Sequence, residues 1–361
     1  MKLKRVTAVL LAGVMAMGLV ACGSGSDTAA DTTTSTSTAT DTADDSESSD
    51  LLGSADATIH LKVGTTTAPD GHYVLGLVEM QKKLEEYSNG EMTLDIYPNS
   101  ALGGESDMMD AVSMGTQDMV LSSTGPIPDF SSATDNWATL DLPYLFETAE
   151  DAYKVLDGEI GQSLLDEFQG SGIKAIGFWE NGFRELTNNT KEVATPADLA
   201  GMKIRTMENA VHMATYTALG ATPTAMAWGE IFSALQQGTV DGQENPLAII
   251  LTAKVYEVQK YITMIDLFYS PCVLMINEDI YNNFTDEQKE AFDKAEDGKV
   301  AERQISQELA SSARATMEAE GVVFTDVNKD EWVAAVQSVY DDASLKIDQD
   351  LLAKIKAETA K

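Results

Sequence analysis

The stretch "ATIHLKVGTTTAPDGHYVLGLVEMQKKLEEYSNGEMTLDIYP", residues 57–98, decides the fold. It opens with Ile59, Leu61 and Val63 at alternate positions, the period of a strand with one buried face. From Gly71 the period lengthens: Val74, Leu77, Val78, Gln81 and Leu84 recur at helical spacing until Gly90 stops them. Residues 91–98 alternate again, and "GESDMMDAVSMG", 104–115, reads as a second helix closed by Gly115. A strand, helix, strand, helix opening predicts an α/β class, because parallel strands need a covering crossover between them.

The same rhythm continues downstream. "GIKAIGFWE", 172–180, reads as a strand, and "ATPADLAG", 194–201, as a short helix with a threonine cap, proline at its first position and aspartate three residues after the cap. "GMKIRTMEN", 201–209, is a short strand running into a helix start, with Met202 and Ile204 on one face and Lys203 and Arg205 on the other. Residues 285–320 begin with a capping box at Thr285 and Gln288 and stay helix-forming to Gly321, interrupted only by Gly298. They are either one long bracing helix or two helices split at Gly298. No repeat of fixed period is visible.

Upstream of this body, residues 1–21 carry Lys2, Lys4 and Arg5 and then an apolar run too short for a membrane span, which is the pattern of a signal peptide. Its end, Leu19-Val20-Ala21-Cys22, resembles the lipobox of bacterial lipoproteins, in which the cysteine is lipidated. Residues 23–56 are almost all Ser, Thr, Ala, Gly and Asp, too polar to bury an apolar face, so residues 22–56 read as a lipidated, solvated tether. With Cys22 lipidated, Cys272 has no disulfide partner and reads as a small buried apolar residue. The folded remainder, roughly 300 residues, is long enough for two domains.

The chain holds 58 acidic against 24 basic residues, a net charge of −34, which makes nucleic acid and anionic lipid poor partners. No G-x-S-x-G, H-E-x-x-H, P-loop or paired C-x-x-C occurs, and the "GSGSD" after Cys22 lies in the tether. His60, His72 and His212 lack metal-ligand spacing and read as exposed or helix-surface residues; no metal or other cofactor is expected. In so anionic a chain an arginine set among apolar residues needs a reason. "GFWENGFRELTNN" puts Arg184 just beyond a strand end, "GMKIRTMEN" puts Arg205 inside one, and "GTVDGQENP" puts Asn245 in a turn before Pro246 opens a helix. A guanidinium is a planar fork of donors matched to a carboxylate, so these residues are candidates for binding an organic acid.

The segments "GFWENGFRELTN", "TPADLAGMKIR", "LGATPTAMAWGEIFSALQQGTVDGQENPL" and "KVYEVQKYIT", in this order and at these spacings, resemble the solute-binding subunit of tripartite ATP-independent periplasmic (TRAP) transporters, the DctP-like family. "YPNSALGGESDMMDAVSMGTQDM" resembles that family's N-terminal lobe. The resemblance implies that Arg205 forms a bidentate salt bridge with a ligand carboxylate, that Arg184 supports the carboxylate, that Asn245 hydrogen-bonds it, and that Trp228 packs against the ligand. Glu79, Glu105 and Trp179 are further candidates from the other lobe or hinge, with helix-surface and core readings as alternatives. One departure is plain: where many members carry a histidine in "TNH", this chain has Ile265, Asp266 and Leu267.

The resemblance further implies a two-lobed periplasmic-binding-protein-like α/β fold with the ligand in the cleft and a long bracing helix. Lobe one would be 57–181 and 271–309, lobe two 182–270 and 310–361. The implied function is capture of a small organic acid, a C4-dicarboxylate or a sugar acid, by a protein lipid-anchored outside the cell membrane. The acid is handed to a permease of small and large membrane subunits, and the protein is not an enzyme. The alternatives are a binding lipoprotein of an ATP-driven importer or sensor, or an extracellular sugar-acid enzyme.

Overall fold

The computed structural model describes residues 51–360; the leader, Cys22 and most of the tether lie outside the described residues. The body begins earlier than the composition suggests. The carbonyl of Leu51 accepts from the Ile96 amide at 2.8 Å, and the amides of Gly53 and Ser54 donate to Asp95 and Glu85 at 3.1 and 3.0 Å. Leu51 itself packs against the core, so the tether's last residues are structure.

Ten strands are present among the described residues: β1 (Ile59–Gly64), β2 (Met92–Tyr97), β3 (Met119–Ser123), β4 (Ile173–Asn188), β5 (Lys203–Thr206), β6 (Thr222–Ala225), β7 (Gly242–Pro246), β8 (Tyr261–Met264), β9 (Tyr269–Asn277) and β10 (Val323–Asp326). They make two sheets that share β4. One runs β2-β1-β3-β9-β4 and the other β6-β5-β7-β4, with β8 and β10 on the far side of β4. The strands β1, β2 and β3 pair in parallel, as do β5, β6 and β7, whereas β4 and β9 run antiparallel to their neighbours. The α/β class and its parallel crossovers are as the opening stretch predicts.

Strand β4 is longer than its pattern suggested. It was expected to stop near Glu180, which put Arg184 beyond its end. Instead it continues for 16 residues through register shifts at Ala175/Gly177 and Glu180/Gly182, and Gly182 takes φ 117° in the second. Bulges let one strand turn from sheet to sheet without losing its ladder. Residues up to Phe183 pair with β9, and from Arg184 the strand pairs with β7. Asn245 likewise lies in a strand rather than a turn, because β7 is clamped between β4 and β5.

The region 285–320 resolves as two helices, Asp286–Ala295 and the 22-residue Gly298–Ala319. The longer one buries Glu302, Arg303 and Ser306 toward the His72–Tyr87 helix and β4, and further on sets Ala313 and Met317 in the core beside Ile262. The C-terminal helix Gln349–Thr359 touches two cores, Ile355 packing with Trp137 and Phe178 and Leu352 with Trp332. Cys272 is fully buried in the apolar cluster of Leu77 and Trp179, as its sequence setting suggests.

Candidate functional site

Arg205 sits on β5 between β6 and β7, opposite Thr224 and Gln243. The strand leads through Asn209, whose side chain caps the helix Ala210–Ala218 by accepting from the His212 amide at 2.9 Å. Arg205 is only 3% exposed. Its Nε and Nη2 both donate to the Met226 carbonyl, at 2.8 and 2.6 Å, while its Nη1 is buried with no partner. Burial lowers the affinity of the guanidinium for its proton to a pKa of about 10, although Glu244 pulls the other way. A buried cationic donor without an acceptor costs about 1–3 kcal/mol or more.

The residue borders a cavity of about 110 Å³, with Glu105, Pro126, Met207, Glu208 and Trp228 among its walls. Apart from Arg205 those walls come from segments that follow the strands of both sheets. Glu105 opens the helix Glu105–Ser113 and is fixed by Ser123, whose amide and Oγ donate to its carboxylate at 2.7 and 2.8 Å. Glu208 accepts from Ser106 Oγ at 3.2 Å, and Asn209 Nδ2 donates to the Gly125 carbonyl at 2.9 Å. These contacts join the segments that follow β2 and β3 to the segment that follows β5. Trp228 is half-buried and starts a short 3-10 turn.

Arg184 has a different setting. It is fully buried and forms an ion pair through Nε with Glu244, while Nη2 donates to Glu244 Oε1 at 3.1 Å and to the Glu244 carbonyl at 2.8 Å. Burial alone would raise the Glu244 pKa, but Arg184 and His212 outweigh it and hold the carboxylate at about 2. The pair therefore carries its charges. Glu244 also lies 3.4 Å from His212 Nδ1; that imidazole stacks on Phe268 with ring centres 3.9 Å apart and faces Asp141 at 3.8 Å. Burial raises Asp141 to about 6 against the pull of His212 and Asn209.

His212 and His72 are thus core residues, contrary to the surface reading; only His60 is substantially exposed. A single histidine carries no sequence signal for burial, and here the helix that bears His212 turns it inward over Phe268. Leu267, at the position of the family histidine, is buried among apolar side chains, so the imidazole reaching Glu244 comes from another element.

Of the other candidates, Asn245 is buried, donates to Gln243 Oε1 at 2.6 Å and is not among the cavity walls. Trp179 is fully enclosed in the core beside Leu77. Glu79 is on a helix surface paired with Lys82 at 2.7 Å. Arg205, Trp228 and Glu105 are brought together; Arg184 and Asn245 stand behind them, and Glu79 and Trp179 stand apart. Sequence reading missed Ser123, Met207, Glu208 and the Met226 carbonyl. A backbone acceptor leaves no residue-type signal, and serine and methionine are too common to single out.

Two sheets sharing a strand, with a half-partnered buried arginine at a cavity bordered by loops of both, make one candidate binding site. The chain belongs to the bacterial extracellular solute-binding protein family 7 (DctP), which matches residues 63–346. It is similar to a solute-binding protein of Verminephrobacter eiseniae, 39% identical over 79% of this chain and 85% of the other. It is also similar to the C4-dicarboxylate-binding periplasmic protein DctP of Rhodobacter capsulatus, 31% identical over 84% of this chain and 91% of the other. Among solved structures, a TRAP periplasmic solute-binding protein from Polaromonas sp. JS666 bound to D-erythronate is 37% identical, with a TM-score of 0.80 over 84% of this chain and all of that chain (100%).

Proposed function

We propose that this protein captures a small organic acid outside the cell through a salt bridge between Arg205 and the ligand carboxylate, and delivers it to a TRAP-type permease of small and large membrane subunits. The observation that carries the reading is the unpartnered, buried Nη1 of Arg205 at a cavity bordered by Trp228. Its relatives bind acids of two kinds, dicarboxylate and hydroxy acid, which supports the class of ligand. Arg184 then acts at one remove: paired with Glu244, it steadies β7 and the field around Arg205 rather than touching the acid. Asn245, beside it on β7, completes the polar wall after a small rotation of its amide. The ligand is bound and released unchanged, in keeping with family members that are binding proteins for transport.

We also propose that 57–181 with 271–309, and 182–270 with 310–361, act as two lobes that close on the ligand, with β4 as one of the connections. Closure excludes water and strengthens the ion pair in a lower dielectric. Cleavage before Cys22 and lipidation of it would hold the protein on the outer face of the membrane near its permease.

The test is a thermal-shift screen against organic acids, with neutral sugars and amino acids as controls. A millimolar addition of a micromolar ligand adds about 4 kcal/mol of stability. A shift with an acid that disappears in Arg205→Ala supports the reading; a shift confined to neutral solutes defeats it.

A further inference from the structure

Charge is unevenly distributed around the cavity. Arg205 is the one cationic side chain among its described walls, and the other charged walls are the carboxylates of Glu105, Asp107 and Glu208. Glu105 is half-buried and fixed by both bonds from Ser123. Glu208 is held by Ser106, and Asp107 accepts from the Gly104 amide at 3.2 Å. The positive end of the helix Glu105–Ser113 also opens here, but its first turn carries Glu105 and Asp107, which offset that partial charge. Lys254 borders a second cavity of about 330 Å³ whose walls share only Trp228 with the first.

We propose that the ligand is a hydroxylated monocarboxylate and that the site excludes dicarboxylates. This rests on the reading of Arg205 as the carboxylate partner. One guanidinium balances one carboxylate. A second carboxylate in the same cavity meets three acidic side chains and no further cation. Hydroxyl groups meet fixed carboxylate oxygens, which keep free lone pairs and are acceptors only. Glu105, the least exposed of the three, is the principal discriminator, and Glu208 adds a second acceptor among the cavity walls. A site built to accept from hydroxyls also rejects analogues that lack them, because its polar groups are left unpaired.

The test is calorimetric titration of the purified protein with butyrate, succinate, D-erythronate, tartrate, gluconate and glucarate, which vary charge at two chain lengths and hydroxylation at the shorter one. A hydroxy monocarboxylate should bind at least about 100-fold tighter than the dicarboxylate of equal length, since like charges set against each other cost several kcal/mol. Glu105→Gln, which keeps the size and an acceptor oxygen, should narrow that gap by about tenfold. Succinate, tartrate or glucarate binding as tightly as its hydroxy-monocarboxylate counterpart overturns the inference while leaving acid capture by Arg205 standing. Butyrate equal to erythronate also overturns it. If none of the six binds but a neutral sugar or amino acid does, the Arg205 reading falls with it.

Discussion

Two arginines about twenty residues apart in sequence occupy the same layer of the molecule and have opposite lives. Arg184 has its counter-charge: Nε and Nη2 both reach Glu244, which is held ionised in return, and only its buried Nη1, like that of Arg205, has no acceptor. Arg205 is open: two nitrogens share one carbonyl, and the third has no acceptor. Both are buried, so burial does not tell them apart. What separates them is whether the chain supplies the counter-charge. Where it does, the arginine is part of the fold; where it withholds one, a deficit is left, which on the proposed function a ligand carboxylate fills.

This contrast can be broken most sharply at Arg184. Arg184→Met should strand the Glu244 charge in the core and lower unfolding free energy by about 3–5 kcal/mol, read by denaturant titration. Arg205→Ala should instead weaken acid binding by about 2–5 kcal/mol in calorimetry while leaving stability unchanged or slightly higher, because it removes an unpaired buried charge. If the two variants had each other's phenotype, the assignment of roles would be reversed.

The ion pair also has a pH signature. The Glu244 pKa is about 2 in the folded protein against an ordinary 4.5, so its contribution is fully present above about pH 4.5 and is lost as pH falls toward 2. The stability gap between the wild-type protein and Glu244→Gln should therefore close over that window, and a gap independent of pH would mean that the pair is not ionised. His212→Leu should cost about 1–3 kcal/mol of stability by removing a polar neighbour of Glu244 and Asp141. Glu79→Ala, on an exposed helix face, should change stability by no more than about 0.5 kcal/mol and leave binding untouched.

Much of this was legible in the chain. Periodicity over 57–98 identified parallel α/β structure, and the planar, permanently charged guanidinium made Arg205 conspicuous in a sequence of net charge −34. Less legible was the continuation of β4 through Arg184, which depends on bulges that leave no periodic trace, and the burial of His72 and His212, which depends on what their helices pack against.

By itself the sequence determined which local elements form and which residue types are available, because strand and helix periods and side-chain chemistry are properties of neighbours along the chain. Only the tertiary structure decided that Arg184 meets Glu244, that Arg205 meets the Met226 carbonyl, and that Glu105 borders the same cavity as Arg205. Those pairings join segments distant in sequence, and whether a buried charge is satisfied is a question of which segments meet.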